Sequence, residues 1–137
     1  MLVHYPIALW TTSLIADLIF YFNRNTTMLQ ISKFLIIAGI IGAILAAIPG
    51  IIDWWALTDP VVTKTANWHA RLNIAALIIF GASFYLRLRH YGAPLVGFNI
   101  KIPFVVSVAG FVLMTISAKL GGKLVYEHRI GVKEADG

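Results

Sequence analysis

Residues 31–57 read ISKFLIIAGIIGAILAAIPGIIDWWAL, and no side chain between Lys33 and Asp53 is charged. A helix needs ~20 predominantly apolar residues to cross a bilayer core ~30 Å thick. This stretch exceeds that length, and an ordinary soluble domain contains no such run. Working outward, three more stretches qualify: Leu2–Phe22, which stops at the polar NRNTT, Trp68–Leu88, which ends in RLRH, and Lys101–Tyr126. The spans are therefore placed at about residues 2–22, 31–57, 68–88 and 101–126. The links between them are short, so neighbours should be antiparallel. The expected fold is an all-α integral membrane four-helix up-down bundle, one domain over residues 1–137.

Composition agrees. Of the 137 residues, 59% are hydrophobic and 12% charged, about half the charge a soluble surface requires. With no cysteine, thiolate metal sites, iron–sulfur clusters and disulfides are excluded. The net charge of +5 sits at the ends of apolar runs, as membrane anchors do, and not in a nucleic-acid groove. The N-terminal stretch lacks a basic leader and a small-residue cleavage site, and reads as a retained span.

Inside the second span Ala38, Gly42, Ala46 and Gly50 recur every four residues, a seam suited to close helix packing. Pro49 is expected to bend that helix. Call the edge nearest residue 1 side A. Trp54, Trp55, Trp68 and Tyr5 gather there as an aromatic belt. Side B holds Arg24, Lys33, Arg87, Arg89 and Lys101. Since Arg24 and Lys33 follow the first span and no basic residue precedes it, side B is expected in the cytoplasm, with both termini outside.

Up-down threading brings one polar residue from each span towards side A: His4, Asp53, His69 and His128. His90 ends span three at side B and reads as interfacial. Polar groups at membrane depth are costly and usually face a partner inside the bundle. In a square bundle spans one and three are diagonal, so His4 and His69 could ligate one haem, with His128 as the other candidate ligand. Ala8, Thr12, Asn73 and Ala76 are small or polar neighbours on those helices. Gly121 and Gly122 permit a ring to approach, and Arg71 and Lys123 stand ready for propionates. Asp53, Arg71 and Asn73 would support the ligands from behind. The same imidazoles with Asp53 could instead hold zinc, copper or non-haem iron. Wet interfacial histidines are the plain alternative. Asp17, mid-span, reads as a proton-relay carboxylate or as a packing residue bonded to Ser or Thr neighbours. No nucleophile elbow, HExxH or phosphate loop is present, so catalysis by the chain itself is not expected.

The motifs LVHYPIAL, AAIPGIIDWW, WHARLN and GGKLVYEHRIGV, in that order, resemble the family catalogued as domain of unknown function 2231. The resemblance covers nearly the whole chain, and GGKLVYEH is its most specific part. It implies a four-span protein of a bacterial or archaeal plasma membrane, in a family that occurs beside redox domains. The family's histidines fall on His4, His69 and His128 and its acids on Asp17 and Asp53. The tail departs from the family pattern, reading HRIGV where a His-Gly pair is usual. Together these features lead to a haem b-binding electron-transfer protein, a subunit of a larger redox complex. The alternatives are a cofactor-free accessory or structural subunit of a membrane redox or photosynthetic complex, and a His/Asp metal-binding or transport protein. Its surroundings would be the lipid bilayer and other membrane subunits, redox partner proteins or further copies of itself.

Overall fold

The computed structural model describes residues 3–89 and 99–131. His90, expected at side B, lies outside them. Among the described residues four helices make up the fold: α1 (His4–Asn23), α2 (Thr26–Trp55), α3 (Pro60–Leu88) and α4 (Lys101–Tyr126). Each is long and apolar enough to cross a membrane. Contacts between α1 and α2 run in opposite order along the two helices, Pro6 meeting Gly42 and Trp10 meeting Gly39. Those between α3 and α4 do the same, Phe80 meeting Gly110 and Ser83 meeting Ser107. The chain is the expected up-down bundle.

Hydropathy placed the spans, but local caps set the ends. α3 begins eight residues before position 68 because the Asp59 carboxylate accepts hydrogen bonds from the amides of Val61 at 2.7 Å and Val62 at 3.2 Å. Pro60 fills the first helical position, where its missing N–H costs nothing. α2 begins at Thr26 because Asn25 Oδ1 accepts from the Thr27 amide at 3.0 Å. Between α1 and α2 lie only Arg24 and Asn25, and Arg24 turns the chain with a left-handed φ of 53°. α2 continues unbroken through Pro49. The 29 residues of α3 rise about 43 Å at ~1.5 Å each, more than the hydrocarbon thickness. Its first turns, residues 60–67, are the more polar end and lie at side A.

The interior is layered. Nearest side B, Phe20, Leu29 and Ile100 form an apolar cap. Next comes a polar layer around Asp17 and Arg87. At mid-depth the Trp10 indole stacks on the Phe80 ring, centroids 4.1 Å apart and planes 10° from parallel. Gly39 lies behind Trp10 and Gly110 behind Phe80, so a row from α2 through α1 and α3 to α4 crosses the bundle. Ile36, Ala76 and Met114 complete this layer. His69 and Ser117 follow, and Val62, Ala66 and Leu124 close side A with Leu57 and Ile130.

Two hairpins, α1–α2 and α3–α4, pack closely within themselves and meet through these layers. The small-residue seam on α2 is used in part: Gly42 packs on Pro6, whereas Ala38 and Gly50 face outward. Tyr5, Trp54, Trp55 and Trp68 are all exposed near side A, as an interfacial belt requires.

Candidate functional site

The most costly groups in the bundle are a carboxylate and a guanidinium. Asp17 on α1 and Arg87 on α3 are 1% and 2% exposed. Asp17 stands six residues before the end of α1, about 9 Å from side B at ~1.5 Å per residue. Arg87 belongs to the last turn of α3, from which a long side chain could reach the aqueous edge. Helical side chains lean towards the helix N-terminus, and this one follows that lean inward.

The two groups pair as a fork. Arg87 Nη1 donates to Asp17 Oδ1 at 2.7 Å and Nη2 to Oδ2 at 2.8 Å. Charge-assisted bidentate bonds of this length are the strongest class of side-chain hydrogen bond. Three serines receive the remaining Nη protons: Ser32 at 3.3 Å, Ser83 at 3.3 Å and Ser107 at 3.2 Å. The hydroxyls form an ordered chain. Ser83 Oγ donates to the Pro103 carbonyl at 2.8 Å, which leaves the Ser107 hydroxyl to donate to Ser83 across 2.7 Å. Arg87 Nε is buried and has no partner among the described residues.

Asp17 comes from α1, Ser32 from α2, Ser83 and Arg87 from α3 and Ser107 from α4, so all four helices meet here. In lipid, apolar surfaces gain nothing by leaving hydrocarbon for one another, and association relies on packing and polar contacts. The clasp therefore joins the α1–α2 hairpin to the α3–α4 hairpin where apolar contact alone gives little. Asp17, read from the sequence as a proton relay or as a packing residue with Ser or Thr neighbours, is bonded to Arg87, and the serines bond the guanidinium. Arg87, taken from the sequence as a side B surface charge, is instead the centre of the interior network.

The histidine layer is arranged differently from the four-residue convergence expected. Trp10 on Phe80 and Asp17 on Arg87 are both contacts offset by 70 residues. The same offset sets His4 level with Ile74, about 7 Å nearer side B than His69 by helical rise. His4 is exposed, Asp53 is exposed beside Gly131, and His128 lies in the turn after α4. Among the described residues no three His, Asp or Glu side chains are close enough to share a metal ion.

His69 is occupied at both ring nitrogens. Nδ1 donates to the Ser117 carbonyl at 2.9 Å, and Nε2 accepts from Asn73 Nδ2 at 3.0 Å. The Ser117 hydroxyl returns a bond to the His69 carbonyl at 3.1 Å. In this arrangement Nδ1 carries a proton and Nε2 faces the Asn73 amide. Gly121 does admit a ring, but the ring is this imidazole: a Cβ there would stand 2.9 Å from His69 Cε1. Further into the diagonal between α1 and α3, the Trp10–Phe80 stack fills the space. The residues present do not fit a bis-imidazole haem between His4 and His69. Arg71, expected near a propionate, lies with its guanidinium 5.6 Å over the Trp68 ring, and Lys123 pairs with Glu127 at 3.6 Å.

No curated protein and no solved structure matches the sequence. The family model described as "Predicted membrane protein (DUF2231)" matches residues 1–134, which takes in all four helices and both halves of the clasp. The chain belongs to the DUF2231 family of membrane proteins.

Proposed function

We propose that this protein is a cofactor-free accessory subunit of a membrane assembly, a rigid four-helix element that partners pack against. One observation carries the reading: at the clasp, at His69 and at mid-depth the interior is filled and bonded by the chain's own groups, while Arg87 Nε and His128 Nε2 are buried without a partner among the described residues. The clasp engages all four helices, His69 spends both nitrogens on Asn73 and Ser117, and the aromatic row fills mid-depth. Surface is what remains for interaction. Only 11% of the most apolar window of α2 is buried by the rest of the chain, which leaves its Ile41, Ile44 and Ile48 outward.

An optical spectrum tests this, taken of the protein purified alone in mild detergent after expression with haem supplied, oxidised and then dithionite-reduced. The expected result is no Soret band, with the untreated protein co-migrating with a larger complex in native gels of mildly solubilised membranes. A Soret band that sharpens on reduction, and that vanishes in His69→Ala while the protein stays in the membrane, would overturn the reading in favour of a haem electron carrier. Stoichiometric zinc or copper in a colourless preparation would overturn it in favour of a metal protein.

A further inference from the structure

The N-terminal part of α3 carries a feature that neither the clasp nor the histidine layer uses. Pro60, Thr63, Lys64, Asn67, Trp68 and Arg71 line a shallow, open surface. They recur at spacings of three and four, so they form one face of the helix. Two cations and an amide converge on it. Arg71 lies over the Trp68 ring, and Trp54 Nε1 donates to Asn67 Oδ1 at 2.7 Å. That second bond fixes the Asn67 amide and leaves its NH2 as a donor. Asp59, the residue before Pro60, is turned to the amides of Val61 and Val62 as the helix cap.

The same face continues down α3 into the membrane. Ile74 and Ile78 follow Arg71 at intervals of three and four residues and are 58% and 65% exposed. Beyond them Gly81 opens on empty space. Cations and an amide donor at the level of the Trp belt, with an apolar track running from them into the bilayer, match an amphiphile with an anionic head. We propose that this face binds an anionic phospholipid: its phosphate on Lys64, Asn67 and Arg71, its glycerol region against Trp68, and an acyl chain along Ile74 and Ile78. Free phosphate shares the head chemistry but would make no use of the track.

The experiment uses the full chain in a neutral detergent, titrated with phosphatidylglycerol or phosphatidylcholine and read by native mass spectrometry and by thermal unfolding. A preference for phosphatidylglycerol on the order of tenfold is expected from two basic side chains at the headgroup level. Lys64→Ala with Arg71→Ala should abolish it, and Lys64→Arg with Arg71→Lys should keep it, each with unchanged helical circular dichroism. Arg89→Ala with Lys101→Ala removes the same charge at side B and should leave the preference intact. Loss of preference in that control would reduce the effect to net charge and overturn the site. Equal stabilisation by inorganic phosphate alone would overturn the lipid assignment in favour of a soluble anion, and an unchanged preference in the Lys64/Arg71 variant would overturn both.

Discussion

Replacing Arg87 by methionine should destabilise the bundle more than any other single change in the polar layer. The substitution keeps the apolar stem and removes the fork that Asp17 receives at 2.7 and 2.8 Å. The carboxylate is then stranded: its side chain is short, and it lies about 9 Å from side B, out of reach of water. Breaking a buried ion pair by deleting one partner costs about 3–5 kcal/mol. The reverse substitution, Asp17→Asn, should cost less, about 1.5–3 kcal/mol for the charge-assisted bonds lost. Arg87 sits in the last turn of α3, so it can swing its head to the side B interface. Replacing both by apolar residues of similar size, Asp17→Leu with Arg87→Met, leaves no charge to desolvate. Such swaps are often neutral or stabilising, so the double variant should fall within about 1 kcal/mol of the wild type. The assay is equilibrium unfolding by SDS in mixed micelles, followed by tryptophan fluorescence, since Trp10 on Phe80 reports on the layer next to the clasp. Wild-type resistance to SDS in Arg87→Met would refute the reasoning, because it would mean that Arg87 spends its time at the surface. A double variant as weak as Arg87→Met would refute the second half, by showing net attraction and not relief of a stranded charge.

Three further outcomes follow from the same packing. Gly110→Ala should cost about 1–3 kcal/mol, because the new methyl would stand 2.9 Å from a Phe80 ring already held by Trp10, whereas Gly81→Ala, which meets open space, should be near neutral by the same titration. Asp59→Ala removes the acceptor for two first-turn amides of α3 and should lower stability by ~1 kcal/mol, with faster hydrogen exchange at Val61 and Val62 as the local readout. Asn73→Ala frees His69 Nε2; the imidazole nitrogen resonances should shift without loss of fold, and added haem should still produce no Soret band.

Much of the fold was legible because the bilayer is a severe solvent. A run such as residues 34–52, without one charge, has few alternatives to a spanning helix, and short links then order the bundle. What hydropathy does not measure is where a helix is capped, which is why α3 begins at Pro60. The signal was local and present: Asp59 followed by Pro60 is a helix start by side-chain chemistry, but it lies among polar residues that a search for apolar runs passes over.

The site was less legible for a reason that turns on length of side chain and register. Sorting residues to the two edges of the membrane treats every residue near an edge as one layer. On that basis His4, His69, Asp53 and His128 share a depth, yet the offset fixed by Trp10–Phe80 and Asp17–Arg87 separates His4 from His69, and among the described residues no three such side chains come together. The same sorting assigned Arg87 to the surface by the position of its Cα, although an arginine head can lie a full turn from its backbone. Counting in from side B would have been more informative. Asp17 and Ser83 lie six and five residues before the ends of their helices, and Ser32 and Ser107 six residues after their starts. Four small polar residues within about one helical turn of each other in depth, on four helices, point to something charged between them. Arg87, one turn past Ser83, is the arginine that can reach that point by leaning along its own helix. In a membrane the depth at which polar residues coincide is thus a better guide to the interior than the kind of chemistry any one of them could perform.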